Sequence, residues 1–271
     1  MQTQTQANLD AGLALLGQGA SPTFEDGFGC GASERCIETL WAASHLQAGE
    51  RILDIGFTMS SLDYLGVLLE ARRRLGVVIE AADIIQPDKV LGRYPDAWAA
   101  DILATPLTIG DVRTAPLPLG AYDLVTCIST IEHIGFDAPA REGQKGAFDR
   151  PEDEAAAPSE RDPAATRDVM ARFAALLRPG GRALISTPMG RGGPATVRDS
   201  LGLVARQWEY EAESWREIAE APGFEPMEQR FFRRRDDGCW SEVTGPADLA
   251  DRSSHQQPHA HGCALAVLKR V

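Results

Sequence analysis

No stretch of this 271-residue chain approaches the roughly 20 consecutive apolar residues that a membrane-spanning helix needs, so no membrane partner is expected. The opening Met1-Gln2-Thr3-Gln4-Thr5-Gln6 lacks both the basic start and the apolar core of a signal peptide, which points to the cytoplasm. Excess cation is missing too: 27 Lys and Arg stand against 39 Asp and Glu, a formal charge of -12. Nucleic-acid binding rests on Lys and Arg that neutralise phosphates, so no nucleic-acid partner is expected. The arginines at 230 and 233–235 read as solvated ends of a strand. The five cysteines (30, 36, 127, 239, 263) include no CxxC pair and are expected to be reduced thiols. GxGxxG is also absent. Gly56 stands alone after the first buried strand, which leaves a nicotinamide-dependent dehydrogenase without its phosphate-binding turn.

What is present is a series of short apolar runs bounded by Gly, Pro or polar residues. Arg51 to Gly56, Val77 to Asp83, Leu107 to Asp111, Tyr122 to Ser129 and Ala183 to Thr187 read as strands buried on both faces. Helical spacing separates them at Glu34 to Leu46, Leu62 to Leu75 and Ala164 to Leu177. The second of these closes in Arg72-Arg73-Arg74, where the helix dipole favours cations. A polar helix is expected after the Gly-rich loop 190–193 and another at Trp215 to Ala221, followed by late strands at Phe224 to Arg233 and Cys263 to Lys269. Alternating strands and helices imply a parallel sheet with helices on both faces. Residues 1–33 are read as an N-terminal arm or flap and 34–271 as one domain. Within that domain 137–163, dense in Pro, Ala, Gly and charge, cannot bury a core and is read as a lid or a disordered loop.

Two stretches carry a family resemblance. Tyr122-Asp123-Leu124-Val125-Thr126-Cys127-Ile128-Ser129-Thr130-Ile131-Glu132-His133-Ile134-Gly135 is followed by Leu177-Arg178-Pro179-Gly180-Gly181-Arg182-Ala183-Leu184-Ile185-Ser186-Thr187-Pro188. In this order and spacing they resemble the later motifs of class I S-adenosylmethionine-dependent methyltransferases. The ending, Gly262 to Lys269, resembles the family's last strand. The resemblance spans roughly 34–271. It implies a doubly wound, mostly parallel seven-stranded α/β sheet with an antiparallel C-terminal strand, and S-adenosylmethionine as cofactor. The implied reaction is methyl transfer to a hydroxyl or amine of a small metabolite, such as a sugar or a natural-product intermediate.

Ligands of open α/β sheets lie at the C-terminal ends of the strands. The resemblance therefore directs attention to Asp54-Ile55-Gly56-Phe57-Thr58-Met59-Ser60 after the first strand. Asp54, Gly56, Phe57, Thr58 and Ser60 are the expected cofactor turn. Thr58 and Ser60 replace the family's second and third glycines, each adding a Cβ and a hydroxyl where the methionine and ribose would lie. A subset of methyltransferase-like proteins shows a similar loss. Asp83, with Glu80 as fallback, is the implied ribose ligand, Asp111 lies near the adenine, and Ser129 flanks the methyl donor. His133, whose ordinary pKa of about 6.5 suits a general base, is the first catalytic candidate and Glu132 the second. The alternative role for this pair is to brace the following turn. A second reading of the whole chain is a methyltransferase fold that no longer methylates, acting as a different enzyme or a partner subunit. His255, His259 and His261 form an HxxxHxH run, and acids crowd 137–163. Both read as solvated loops, so no metal is expected.

Overall fold

The computed structural model describes residues 2–136, 161–198, 204–255, 257 and 259–271. Its first five strands are β1 (Arg51–Ile55), β2 (Val78–Asp83), β3 (Leu107–Ile109), β4 (Tyr122–Ile128) and β5 (Leu177–Pro188). All pair in parallel, β1 with β2 and β4, β2 with β3, and β4 with β5. Later strands are β6 (Gly193–Arg198), β7 (Val204–Glu209), β8 (Phe224–Arg234), β9 (Trp240–Val243) and β10 (Gly262–Arg270). The main sheet has the order β3-β2-β1-β4-β5-β10-β8-β9, with β10 antiparallel to both its neighbours. Strand order reverses between β1 and β4, so a crevice opens above their C-terminal ends.

Side chains alternate between two cores, as a period of two requires. Ile52, Leu124, Leu184 and Leu265 face one apolar cluster; Leu53, Val125, Ile185 and Ala266 face the other. The first cluster is covered by α1 (Gln2–Leu15), α2 (Arg35–His45), α3 (Leu62–Leu75) and α4 (Asp96–Leu103), through Leu9, Trp41, Leu68 and Ile102. The second is covered by α5 (Ala165–Leu176) and α6 (Ala212–Ala219), through Phe173, Trp215 and Ile218.

Several expectations are corrected. The sheet has eight strands rather than seven, because β9 adds to the β8 edge over Phe231–Arg234. The polar helix expected after 190–193 is instead the antiparallel hairpin β6–β7, whose Thr196 and Val197 are β-branched and suit a strand. Between β2 and β3, where no element is expected from the sequence, lies α4, which starts directly after Pro95, a residue tolerated at helix starts. Residues 2–15, read as part of an arm or flap, form a helix. Asn8 Nδ2 donates to buried Asp63 Oδ2 at 2.8 Å, and a Cβ on Gly66 of α3 would meet Leu9 Cδ1 at 2.8 Å, so α1 lies against α3 at close range. Most of the expected lid, 137–160, falls outside the described residues.

The thiols differ too. Cys30 and Cys239 are joined in a disulfide, while Cys36, Cys127 and Cys263 are free and buried. Local cysteine spacing does not reveal this pair, because backbone bonds from segments far apart in the chain bring it together. Gly31 N–H donates to Gly238 O at 3.0 Å and Trp240 N–H to Phe28 O at 2.7 Å. Among the described residues no helix is long and apolar enough to cross a membrane.

Candidate active site

A cavity of about 330 Å³ occupies the crevice above β1, β2 and β4. Gly56, Ser60, Asp83, Asp111, Ser129, Glu132 and His133 all line it. Asp54, Phe57 and Thr58 stand behind its wall. The turn after β1 explains the division. Gly56 takes φ +85°, and a 3-10 turn over Phe57–Met59 follows, which drives Phe57 into the core beneath α1–α3 and buries Thr58 completely.

Hydrogen bonds pin that turn to the β2 exit. Asp83 Oδ2 accepts the Thr58 N–H at 2.8 Å and Oδ1 accepts the Ile85 N–H at 2.9 Å. Thr58 Oγ1 donates to Ile85 O at 2.8 Å, and Tyr94 Oη and Arg93 Nη1 donate to Thr58 O at 2.6 and 3.1 Å. Burial raises the Asp83 carboxyl above its ordinary range, against the pull of these amides. Asp111, at the β3 exit, is held by Arg113, whose Nε reaches Oδ2 at 2.8 Å and Nη2 the same oxygen at 2.6 Å. Glu80, the fallback to Asp83, is instead tied to Arg51 and Tyr122 away from the cavity.

At the β4 exit Ser129 has φ +46°, the only positive φ of a non-glycine residue among those described. Such conformations cost about 1–3 kcal/mol and cluster at functional sites. Its N–H meets Ser186 Oγ at 3.0 Å, and its hydroxyl donates to Glu132 Oε1 at 2.8 Å. Glu132 is almost fully buried and also accepts from Thr187 Oγ1 at 3.3 Å; burial pushes its pKa up to about 7. His133 Nε2 lies 3.9 Å from Glu132 Oε1, with the ring partly exposed to the cavity. The turn that carries this pair is fixed by Arg161, which donates to Ile134 O at 2.8 Å and Ile131 O at 3.1 Å.

Other cavity residues carried no readable signal. Glu34 and Arg35 come from the start of α2, Arg93 from the β2–α4 connection and Gln207 from β7. Of the HxxxHxH run only His259 reaches the cavity; His255 Nδ1 accepts the Thr196 N–H at 3.2 Å. Among the described residues no three His, Cys, Asp or Glu side chains converge as a metal site.

Asp54 supports this wall from behind. It is fully buried, its Oδ1 accepts from Thr126 Oγ1 at 2.6 Å and Tyr64 Oη at 2.8 Å, and its Oδ2 has no partner among the described residues. Burial outweighs these bonds and pushes its pKa up to about 7. The folded state therefore holds a proton that the unfolded state has released, so the associated stability is present below the ordinary value and is lost as pH rises through 7. The wild type is expected to lose about 3 kcal/mol between about pH 4 and pH 8 that Asp54→Asn keeps. Urea unfolding of both proteins at the two pH values measures this, and parallel pH slopes would refute it.

No family model and no curated protein matches the chain. Among solved structures it is similar to a SAM-dependent methyltransferase from Methanosarcina mazei, at 12% identity and TM-score 0.49 over 83% of this chain and 94% of that one. It is similar to the cyclase SpnF at 16% identity and TM-score 0.49, over 98% and 92%. An amino pentose methyltransferase from Micromonospora echinaspora, solved with SAM bound, gives 17% identity and TM-score 0.42 over 82% and 84%. The protein has a Rossmann-like methyltransferase fold, as its strand order and antiparallel β10 define it.

Proposed function

We propose that the cavity binds S-adenosylmethionine and that the protein transfers its methyl group to an amine or hydroxyl of a small metabolite. One observation carries this reading. A single cavity runs from the strand-exit acids Asp83 and Asp111, past Gly56 and Ser129, to the buried Glu132 and its neighbour His133.

The residues present fit the cofactor. A carboxylate offers about four lone-pair sites. The amides of Thr58 and Ile85 use one on each Asp83 oxygen, leaving acceptors for a ribose diol. Nothing would meet a Cβ on Gly110 within 4 Å, so that wall has room for a flat ring. The hydroxyls that replace the motif glycines do not crowd the space: Thr58 is turned away, and Ser60 Oγ folds back onto Gly56 O at 3.1 Å. Ser61 Oγ is buried at the cavity wall with no partner among the described residues, a donor waiting for an acceptor.

Bound there, the cofactor supplies a methyl carbon on a positively charged sulfur, which keeps the C–S electron pair when an acceptor lone pair bonds to that carbon. The chain's own task is to position the acceptor and take its proton. His133 is the base and Glu132 its neighbour, the second proton acceptor. His133→Ala is expected to cut turnover by roughly 10²- to 10⁴-fold and to leave cofactor affinity within about twofold. Steady-state assays with methyl-labelled cofactor, beside calorimetric titration, measure both quantities; full turnover in the variant would remove His133 from this role.

A non-methylating member of the fold is the second reading. It is favoured by the use of both Asp83 oxygens as an internal brace for the β1 turn. Cofactor binding with no methylated product from any acceptor would support it.

A further inference from the structure

The far end of the cavity holds more polar chemistry than the strand exits account for. Glu34 and Arg35 reach it from α2, Glu132 and His133 from the turn after β4, Gln207 from β7 and His259 from the segment before β10. Behind them lies Glu38, fully buried and paired with Arg35. Three carboxylates therefore share one guanidinium, and burial holds the His259 ring below its ordinary pKa, against the pull of Glu34. The Glu34 carboxylate is fixed at the wall by the Ala260 N–H, 3.1 Å from Oε2.

Gln207 is the independent observation. It is only 4% exposed and lines the cavity, and its side-chain nitrogen has no hydrogen-bond partner among the described residues. Folded proteins rarely leave a buried donor unpaired, and such exceptions call for an explanation.

We propose that this end of the cavity is an acceptor subsite for an amine whose neighbouring carbon carries a hydroxyl or carbonyl oxygen, an assignment that rests on the methyl-transfer reading above. The ammonium form sits against the carboxylates of Glu34 and Glu132. The neighbouring oxygen accepts the Gln207 N–H that the protein leaves unpaired. To expose its lone pair the amine must pass a proton to Glu132 or His133. Alkylammonium groups titrate at about 8 to 10. That is close above the pKa of about 7 to which burial pushes Glu132. An alcohol lies near water's value of about 16, much farther above Glu132 than an alkylammonium does.

The test is calorimetric titration of the full chain, with and without S-adenosylhomocysteine. The probes are glucosamine against glucose, 2-aminocyclohexanol against 1,2-cyclohexanediol, and cyclohexylamine, which lacks the oxygen. The amino alcohols are expected to bind at least about tenfold more tightly than their diols. Gln207→Leu is expected to weaken the amino alcohols about tenfold, leaving cyclohexylamine and S-adenosylhomocysteine unchanged. Gln207→Met, which keeps the side-chain length without the donor and without a charge, repeats the test should the leucine variant fold poorly. Diols binding as tightly as amino alcohols, no binding by any amine, or Gln207 variants indistinguishable from wild type would each overturn the subsite. Failure of the methyl-transfer reading looks different: S-adenosylhomocysteine does not bind while the amino alcohols still do.

Discussion

Gly56→Ala is expected to lower stability by about 3 kcal/mol and to abolish S-adenosylhomocysteine binding. Two penalties combine. Gly56 holds φ +85°, a conformation that costs an L-residue roughly 1–2 kcal/mol. An added Cβ would also fall 2.7 Å from Thr130 Cγ2 and closer still to its Oγ1. Thr130 cannot yield freely, because its hydroxyl donates to Ile128 O at 3.1 Å and the residue opens the turn bearing Glu132 and His133. Relief therefore moves either the β1 exit or the β4 exit, and both are walls of the cavity. Trimming the two nearest atoms in Gly56→Ala/Thr130→Ala is expected to restore at most about half of the lost stability, since the backbone penalty and a 3.1 Å approach to the Thr130 Cβ remain. Urea unfolding measures the series. A single variant within about 0.5 kcal/mol of wild type would deny the close approach of the two exits.

Asp83→Ala should cut cofactor affinity at least about a hundredfold while costing roughly 2–6 kcal/mol of stability. The carboxylate is the acceptor for two backbone amides, Thr58 at 2.8 Å and Ile85 at 2.9 Å, and the residue is only 8% exposed. Removing it leaves both donors without that partner, each at about 1–3 kcal/mol. The turn does not collapse outright, because Tyr94 and Arg93 still hold the Thr58 carbonyl. Calorimetry beside urea unfolding separates the two roles. Stability lost with cofactor affinity intact would make Asp83 a brace alone and favour the non-methylating reading.

The parallel half of the sheet was legible because strands buried on both faces leave continuous apolar runs, as in Tyr122–Ile128. The four-residue β9, with Ser241 and Glu242 inside it, leaves no such run. The β6–β7 hairpin was hidden by polar residues that resemble a solvated helix. At the site, Asp83, Asp111, Ser129, Glu132 and His133 could be placed around one crevice because each lies at or just beyond a strand exit, where topology fixes position. Phe57 and Thr58 were misplaced because one left-handed glycine and a 3-10 turn send them inward, a local choice that the sequence around Gly56 does not announce. Glu34, Arg35 and Gln207 were invisible for another reason. They come from a helix start and a hairpin far away in the chain, and only tertiary packing brings them to the cavity.

The cofactor assignment is tested most directly by calorimetric titration of the purified chain with S-adenosylmethionine and, separately, with S-adenosylhomocysteine. Micromolar binding of both is predicted, lost in Asp83→Ala and kept in His133→Ala. Absence of binding by either compound to well-folded protein would contradict it.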